Sequence, residues 1–95
     1  MTIRSILWVE TGTSRWLGGH EFVHEWEGID ARFYNHHWWV CETIDPDDNR
    51  LYELFLCPSG GEGNMPCGMY RTIAKAKECA ERLNALLFEL RSSSP

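Results

Sequence analysis

Residues 37–57 read HWWVCETIDPDDNRLYELFLC, and this stretch decides the fold. Its two flanks, residues 37–43 and 51–57, are rich in the aromatic and β-branched side chains that favour strands. Between them, Pro46 stands among aspartates and an asparagine, which favours a tight reversal. The stretch therefore predicts a β-hairpin. Large apolar groups fall on both faces of both strands. We expect these strands to be central in a sheet, or covered by a helix on one face and another element on the other.

The C-terminal part of the chain predicts one amphipathic helix over residues 73–90. Apolar side chains recur there at steps of three and four residues, which forms one stripe: Ile73, Ala76, Ala80, Leu83, Leu87 and Leu90. Thr72 stands where an N-cap residue belongs. A helix of about 18 residues is marginal alone in water, so we expect it to pack its stripe on the sheet.

The N-terminal half adds further predicted strands. Residues 21–27 alternate, with His24 and Trp26 on one side and Glu25 and Glu27 on the other. Gly28 predicts a reversal into residues 29–34, and residues 3–9 predict an edge strand. Glycines mark residues 11–19 as a loop. Residues 58–68 predict a second, longer loop, of a length typical of mobile or functional segments.

These elements predict a single domain over residues 1–95, with residues 92–95 as a flexible tail. The chain has 95 residues, of which 43% are hydrophobic, so it can form one core and is not a disordered segment. The predicted class is α+β: a small antiparallel sheet of three to five strands, with one C-terminal amphipathic helix packed on a face.

Acidic side chains concentrate in the middle of a chain whose net charge is −5. Residues 20–53 carry Glu21, Glu25, Glu27, Asp30, Glu42, Asp45, Asp47, Asp48 and Glu53, against only Arg32 and Arg50. Nucleic-acid binding needs clustered Lys and Arg, so direct nucleic-acid binding is not expected. An acidic segment instead favours a protein partner with a basic surface.

Aromatic side chains offer anchors for such a contact. Neighbouring residues of a strand point to opposite faces, so Trp38 and Trp39 cannot both enter one core. We expect Trp26, Tyr34 or Trp39 to anchor a partner, since Trp and Tyr are preferred at interfaces. The predicted partner-binding carboxylates are Glu21, Glu25, Glu27, Asp30, Asp45, Asp47 and Asp48. Aromatic surface is also compatible with a homodimer.

Residues 20–24 read HEFVH and resemble the H-E-x-x-H motif of zinc proteases. On that resemblance, His20 and His24 would bind zinc and Glu21 would act as the base, which requires a helix. Strand alternation fits the segment at least as well. A zinc-dependent hydrolase is therefore the alternative function, and an immunity protein or antitoxin is a further one.

No other motif predicts catalysis or a bound group. The chain has no C-x-x-C pair, and its glycine-rich loop lacks the Gly-Lys-Ser/Thr ending of a phosphate loop. We predict no enzyme activity, no cofactor and no metal. No signal peptide is visible. No apolar run approaches the length of roughly 18 residues that a membrane span needs. A cytoplasmic protein with reduced cysteines and no membrane contact is expected.

Residues 68–81, GMYRTIAKAKECAE, resemble a pattern of small phage and prophage proteins. In that pattern a strand end bearing a glycine runs into an alanine-rich helix packed on a short antiparallel sheet. With its small size and acidity, the chain is similar in general character to anti-CRISPR proteins. The resemblance implies an inhibitor that blocks a basic, nucleic-acid-binding surface, such as that of a CRISPR–Cas complex, and assigns no functional residue.

Overall fold

The computed structural model describes residues 5–11, 15–17, 20–33, 36–47, 49–58 and 63–92, with side chains over 5–11, 24–33, 36–47, 49–58 and 63–90. The elements in chain order are β1 (Leu7–Glu10), β2 (Arg15–Leu17), β3 (His20–Ile29), β4 (His36–Ile44), β5 (Arg50–Pro58), β6 (Met65–Tyr70) and α1 (Ile73–Ser92). No described helical stretch is long and apolar enough to cross a membrane.

The strands form one antiparallel sheet in the order β1-β3-β4-β5-β6, and β2 pairs with β3. Helix α1 packs on β4, β5 and β6. The predicted α+β class is confirmed. Five strands pair in series along the sheet, which is the upper end of the predicted three to five. β2 is a short sixth strand, and it lies in the segment that was predicted to be a loop.

The predicted hairpin is confirmed as β4 and β5, which lie at the centre of the sheet. Their register is continuous from Ile44↔Arg50 at the turn to His36↔Pro58 at the far end. The turn is stabilised by Asp45, whose Oδ1 accepts backbone N–H groups of Asp47 and Asn49, each at 2.9 Å.

The core lies between α1 and one face of the sheet, called here the helix face. Its buried apolar residues are Ile6, Trp38, Val40, Leu54, Ala76 and Ala80. The two alanines are small, so the helix backbone can approach the central strands closely. The helix begins as predicted, because Thr72 Oγ1 accepts the N–H of Lys75 at 3.1 Å. It ends at Ser92, two residues beyond the predicted end.

Three local predictions were wrong. Gly28 does not reverse the chain: it lies inside β3, paired with Trp8 and Trp38, and the turn follows at Ala31 and Arg32. Its lack of a side chain serves packing, since a Cβ there would lie 2.7 Å from Ile6 Cγ2. The predicted loop over 58–68 contains the start of β6, and the loop over 11–19 contains β2.

Candidate protein-docking surface

The second face of the sheet, called here the open face, points away from α1. Strand side chains alternate between faces, so the neighbours of core residues Trp38, Val40 and Leu54 project to this side. No described helix or strand covers it. Its described side chains lie on β1, β3, β4, β5 and β6: Leu7, Val9, Glu25, Glu27, Ile29, His37, Trp39, Cys41, Thr43, Leu51, Glu53, Phe55, Cys57, Pro66 and Met69.

An aromatic pair forms the centre of the open face. Trp39 and Phe55 are register partners on β4 and β5, and their ring centroids lie 5.2 Å apart with an angle of 31° between the planes. Both side chains are half-buried. On the other side of Trp39, Glu27 is its register partner on β3, and Val9 on β1 is in turn the partner of Glu27. A continuous row of Val9, Glu27, Trp39 and Phe55 therefore crosses four strands.

Apolar side chains are exposed around this row. Leu7 and Ile29 are register partners with 70% and 45% of their surface exposed. Met69 lies on the same face at the opposite edge of the sheet, in β6, where it is the register partner of Glu53. It is 52% exposed. Exposed apolar groups on a face with an aromatic centre are typical of a protein-binding surface rather than of plain solvated surface.

The described side chains of the open face carry a net negative charge. Glu27 and Glu53 are both partly exposed, and no Lys or Arg is among the described side chains of this face. Glu27 has an ionisable neighbour in His37, whose Nε2 lies 3.9 Å from Glu27 Oε1. Partial exposure leaves both carboxylates able to meet a cationic partner.

Two buried residues of the open face, Cys41 and Glu25, lie beneath its exposed side chains and are called here the floor of the face. Cys41 is fully buried between its register partners Glu25 and Glu53. Glu25 itself is buried, with 4% of its surface exposed. Of the acidic pair predicted on this strand, Glu27 therefore contributes to the surface and Glu25 contributes little.

Other predicted partner-binding residues lie elsewhere in the fold. Asp30 is buried behind α1, where it accepts hydrogen bonds from Arg32 at 2.6 Å and from Asn84 Nδ2 at 2.8 Å. The hydrogen bond from Arg32, ahead of the other contacts, lowers the pKa of Asp30 to about 2. Trp26 lies on the helix face, with its ring centroid 5.9 Å from that of Tyr52.

The predicted acidic residues of the hairpin tip are also separate from the aromatic row. Asp45 serves the turn, and the backbone N–H of Asn49, followed by further hydrogen bonds, lowers its pKa. Asp47 is exposed beside it. The strand end at Ile44 is five residues from Trp39, or roughly 17 Å along an extended strand. Tyr34, Asp48 and the side chain of Glu21 lie outside the described part of the chain.

The helix face holds a second polar cluster around the buried carboxylate of Glu42. Tyr52 donates its hydroxyl hydrogen to Glu42 Oε2 at 2.8 Å, and Arg50 and His24 Nδ1 lie 3.3 and 3.2 Å from Oε1. Burial and, second, the bond to Glu42 raise the pKa of Tyr52. A buried carboxylate with this many partners is a satisfied structural group.

The H-E-x-x-H segment is part of strand β3, so it lacks the helix that the zinc-protease geometry requires. His24 faces Glu42 and Glu10 on neighbouring strands. In a strand, His20 and His24 stand four residues apart, roughly 13 Å. Among the residues with described side chains, no group of three or more His, Cys, Asp or Glu is arranged to hold a metal ion.

Cys57, His37 and Glu27 bring a thiol, an imidazole and a carboxylate together on the open face. Cys57 and His37 are register partners, and His37 contacts Glu27. Nucleophilic cysteines have a lowered pKa. Here burial, and second the charge of Glu27, raise the pKa of Cys57 to about 11. The thiol stays protonated at neutral pH, so this arrangement does not fit nucleophilic catalysis.

Sequence reasoning missed most of the open face. Phe55, Glu53, Leu7 and Ile29 join Trp39 and Glu27 only through the register of four strands. The alternation of each strand was visible in the sequence, but the pairing that aligns them was not. Comparison with known proteins adds no relative: no protein-family model, no curated protein and no solved structure matches this chain.

Proposed function

We propose that this protein is a non-catalytic binding protein whose open face docks on a basic surface of another protein. The observation that carries the proposal is the composition of that face. It combines an aromatic centre and exposed apolar groups with the carboxylates of Glu27 and Glu53, and its described side chains include no Lys or Arg. Such a surface repels phosphates and attracts cationic protein surfaces.

The size of the face suits a stable contact. Its three central strands are nine or ten residues long, which is roughly 30 Å, and five strands spaced about 4.8 Å apart span roughly 20–25 Å. The area is close to the roughly 800 Å² that each partner contributes to a standard interface. Exposed apolar groups then supply affinity, and the carboxylates supply orientation and fast encounter.

Basic protein surfaces commonly hold nucleic acid, so a partner docked there prevents that binding by steric block and by charge. An inhibitor of a nucleic-acid-handling complex, in the manner of anti-CRISPR proteins, is the sharpest form of the proposal. The proposed target is cytoplasmic. Because Asp30 and Glu25 are buried, the docking carboxylates of the proposal are Glu27 and Glu53 of the open face, and the hairpin tip is not required.

The proposal is tested by capture from a nuclease-treated host lysate on three immobilised proteins. These are the wild type, the open-face double variant Glu27→Lys/Glu53→Lys, and the control Glu78→Lys/Glu89→Lys, which makes the same charge change on exposed positions of α1. Retained proteins are then eluted with added DNA or RNA and, separately, with salt.

We expect the wild type and the control to retain a nucleic-acid-binding protein that the open-face variant does not retain. Added nucleic acid and rising salt should both release it, because the contact competes with phosphates and is screened. Retention that is equal on all three proteins, or that neither salt nor nucleic acid weakens, would contradict the proposal.

A further inference from the structure

Strand β1 forms one edge of the sheet, and no described strand pairs with its outer side. We propose that this edge pairs with β1 of a second copy of the chain, antiparallel and around a two-fold axis perpendicular to the sheet. The two sheets then join into one. Helix α1 packs over β4, β5 and β6, away from this edge. The proposal is independent of docking by the open face, and it places both open faces on the same side of the joined sheet.

The hydrogen bonds of β1 show which of its backbone groups point outward. Thr11 donates its backbone N–H to the carbonyl oxygen of Glu25 on β3 at 2.8 Å. Because backbone groups alternate in direction along a strand, Val9 also points its groups at β3, whereas Trp8 and Glu10 point theirs away. No backbone group of the described residues pairs with the outward groups of Trp8 and Glu10.

The preceding outward group, the N–H of Ile6, is already satisfied within the chain. Glu81 of α1 accepts this N–H at 3.0 Å, which leaves the edge free at Trp8 and Glu10. One two-fold register uses all the free groups and keeps the contact of Glu81 intact. It places Trp8 of each copy opposite Glu10 of the other, with Val9 meeting its own counterpart on the axis.

Opposite charges meet in this register. The Nζ of Lys77 on α1 lies 5.8 Å from the centroid of the Trp8 ring, so Glu10 of one copy comes beside Lys77 of the other. The two-fold axis repeats this pair at the other end of the joint. Within its own copy, Glu10 has 54% of its side chain exposed and lies 3.8 Å from His24. An unrelated strand brings no such lysine with it, so charge complementarity favours a second copy as the occupant.

Apolar side chains gain cover on the open-face side of the joint. Leu7 and Val9 are 70% and 51% exposed. In the dimer the two Val9 side chains pack on each other across the axis, and Leu7 packs beside Thr11 of the other copy. Burial of exposed apolar surface adds to the backbone hydrogen bonds and the two ion pairs.

The opposite edge of the sheet differs from β1 in ways that discourage pairing. Strand β6 contains Pro66 and a glycine, Gly68, at a φ of 128°. Its register with β5 shifts between Leu54 and Phe55. Proline and bulges are devices by which edge strands avoid pairing with other chains. The register of β1 with β3 is continuous and β1 contains no proline, so we expect self-association at β1.

The test measures self-association of the full chain by analytical ultracentrifugation. Glu10→Lys and Lys77→Glu each place like charges at both ends of the joint, whereas an equimolar mixture of the two variants restores both ion pairs. The control is Lys75→Glu, which reverses an exposed lysine on α1. Each protein is first checked for folding by circular dichroism. For the wild type, backbone amide exchange is also followed by NMR at low and high protein concentration.

We expect the wild type and the control to dimerise, and each of the two joint variants alone to dimerise at least about tenfold more weakly, since like charges facing each other are costly. The mixture should recover the lost affinity. Exchange at the Trp8 and Glu10 amides should slow as the concentration rises, while exchange at Val9 should not change.

A wild type that stays monomeric at about 1 mM would overturn the proposal. Dimers that the charge reversals do not weaken, or a mixture no stronger than its components, would overturn the proposed register. Exchange at Trp8 and Glu10 that is independent of concentration in a dimerising protein would show that the copies meet elsewhere than at β1.

Discussion

Trp38 and Asn84 are joined by a buried hydrogen bond in which the indole Nε1–H of Trp38 donates to Asn84 Oδ1 at 3.0 Å. Both residues have 1% of their surface exposed. The amide nitrogen of Asn84 donates in turn to Asp30 Oδ2 at 2.8 Å. This chain of contacts fixes α1 on the sheet at one position. It thereby determines which face of the sheet is covered and leaves Trp39 on the other.

Replacing Asn84 should destabilise the protein without changing its surface. In Asn84→Leu, the side-chain volume is nearly kept, but the Trp38 N–H loses its buried acceptor. Asp30 Oδ2 loses one donor and keeps its hydrogen bond from Arg32. Leaving a buried polar group unsatisfied costs about 1–3 kcal/mol, so we expect the free energy of unfolding to fall by about 1–3 kcal/mol in urea titrations. The control Asn64→Leu changes an exposed asparagine and should change the stability by less than about 0.5 kcal/mol.

Asp30 should make stability depend on pH at the acid end. Its pKa in the folded state is about 2, below the roughly 3.9 of an unfolded aspartate. A lowered folded pKa gives stability that is present above about pH 4 and is lost as the pH falls towards 2. The shift corresponds to about 2–3 kcal/mol.

The pH prediction is checked by urea unfolding of the wild type, Asp30→Asn and Asp47→Asn between pH 2 and pH 7. Asp30→Asn should be less stable than the wild type by about 2–3 kcal/mol at pH 7, with a difference that closes near pH 2. The exposed Asp47 serves as the control and should follow the wild type. A constant difference between Asp30→Asn and the wild type across the range would show that the ionised carboxylate is not the stabilising form.

The parts of the fold that depend on local patterns were predictable from the sequence. The helix followed from the spacing of Ala76, Ala80 and the leucines, and the central hairpin followed from strand-forming residues around Pro46. Strand β6 and the position of Gly28 inside β3 were not predictable from the sequence, because both depend on cross-strand partners. Gly28 looks like a turn residue in isolation, yet between Trp8 and Trp38 it is the residue that lets a large side chain pack over the strand.

The candidate docking surface could be predicted from the sequence only in part, for the same reason. The acidic residues of 20–53 are near one another in sequence, but one helix and the alternation of strands divide them. Glu42 and Asp30 become buried on the helix side, Glu25 becomes part of the floor of the open face, and Glu27 remains accessible. A contiguous acidic segment therefore does not become a contiguous acidic surface, and only the strand register reveals which carboxylates meet an aromatic ring.

Glu81 should control the attachment of β1 to the rest of the fold. Its two carboxylate oxygens accept the backbone N–H groups of Ser5 and Ile6, each at 3.0 Å. In Glu81→Ala both donors lose their partner, at a cost of about 1–3 kcal/mol. Hydrogen exchange of the Ile6 amide should speed up by at least about tenfold.

The matched control for this change is Glu78→Ala, one turn earlier on α1, where the carboxylate is exposed and contacts Arg82 and Lys75. Exchange at Ile6 should remain at the wild-type rate in that variant. Because β1 supplies Leu7 and Val9 to the open face, Glu81→Ala should also weaken binding of the partner. Unchanged exchange at Ile6 in Glu81→Ala would contradict the proposed attachment.

Cys57 should be unreactive in the folded protein. Its side chain is buried and burial raises its pKa to about 11, so the thiolate that alkylating reagents require is scarce at pH 8. With iodoacetamide at pH 8, we expect mass spectrometry to find Cys57 unlabelled in buffer and labelled in urea. The half-buried Cys67 serves as the internal comparison and should be labelled earlier. Labelling of Cys57 in buffer at the rate of Cys67 would reopen a nucleophilic role beside His37.

Gly28 provides a test of how β1 packs on the sheet. An added Cβ would lie 2.7 Å from Ile6 Cγ2 and 2.7 Å from Trp8 Cζ3, so Gly28→Ala must displace the Trp8 ring or the strand. Overpacking of this kind costs about 1–3 kcal/mol. The same substitution in a Trp8→Leu background should cost less, since the indole is gone. Urea unfolding of the two single variants and the double variant completes a mutant cycle. Equal costs of Gly28→Ala in both backgrounds would show that the Trp8 ring is not what requires glycine at this position.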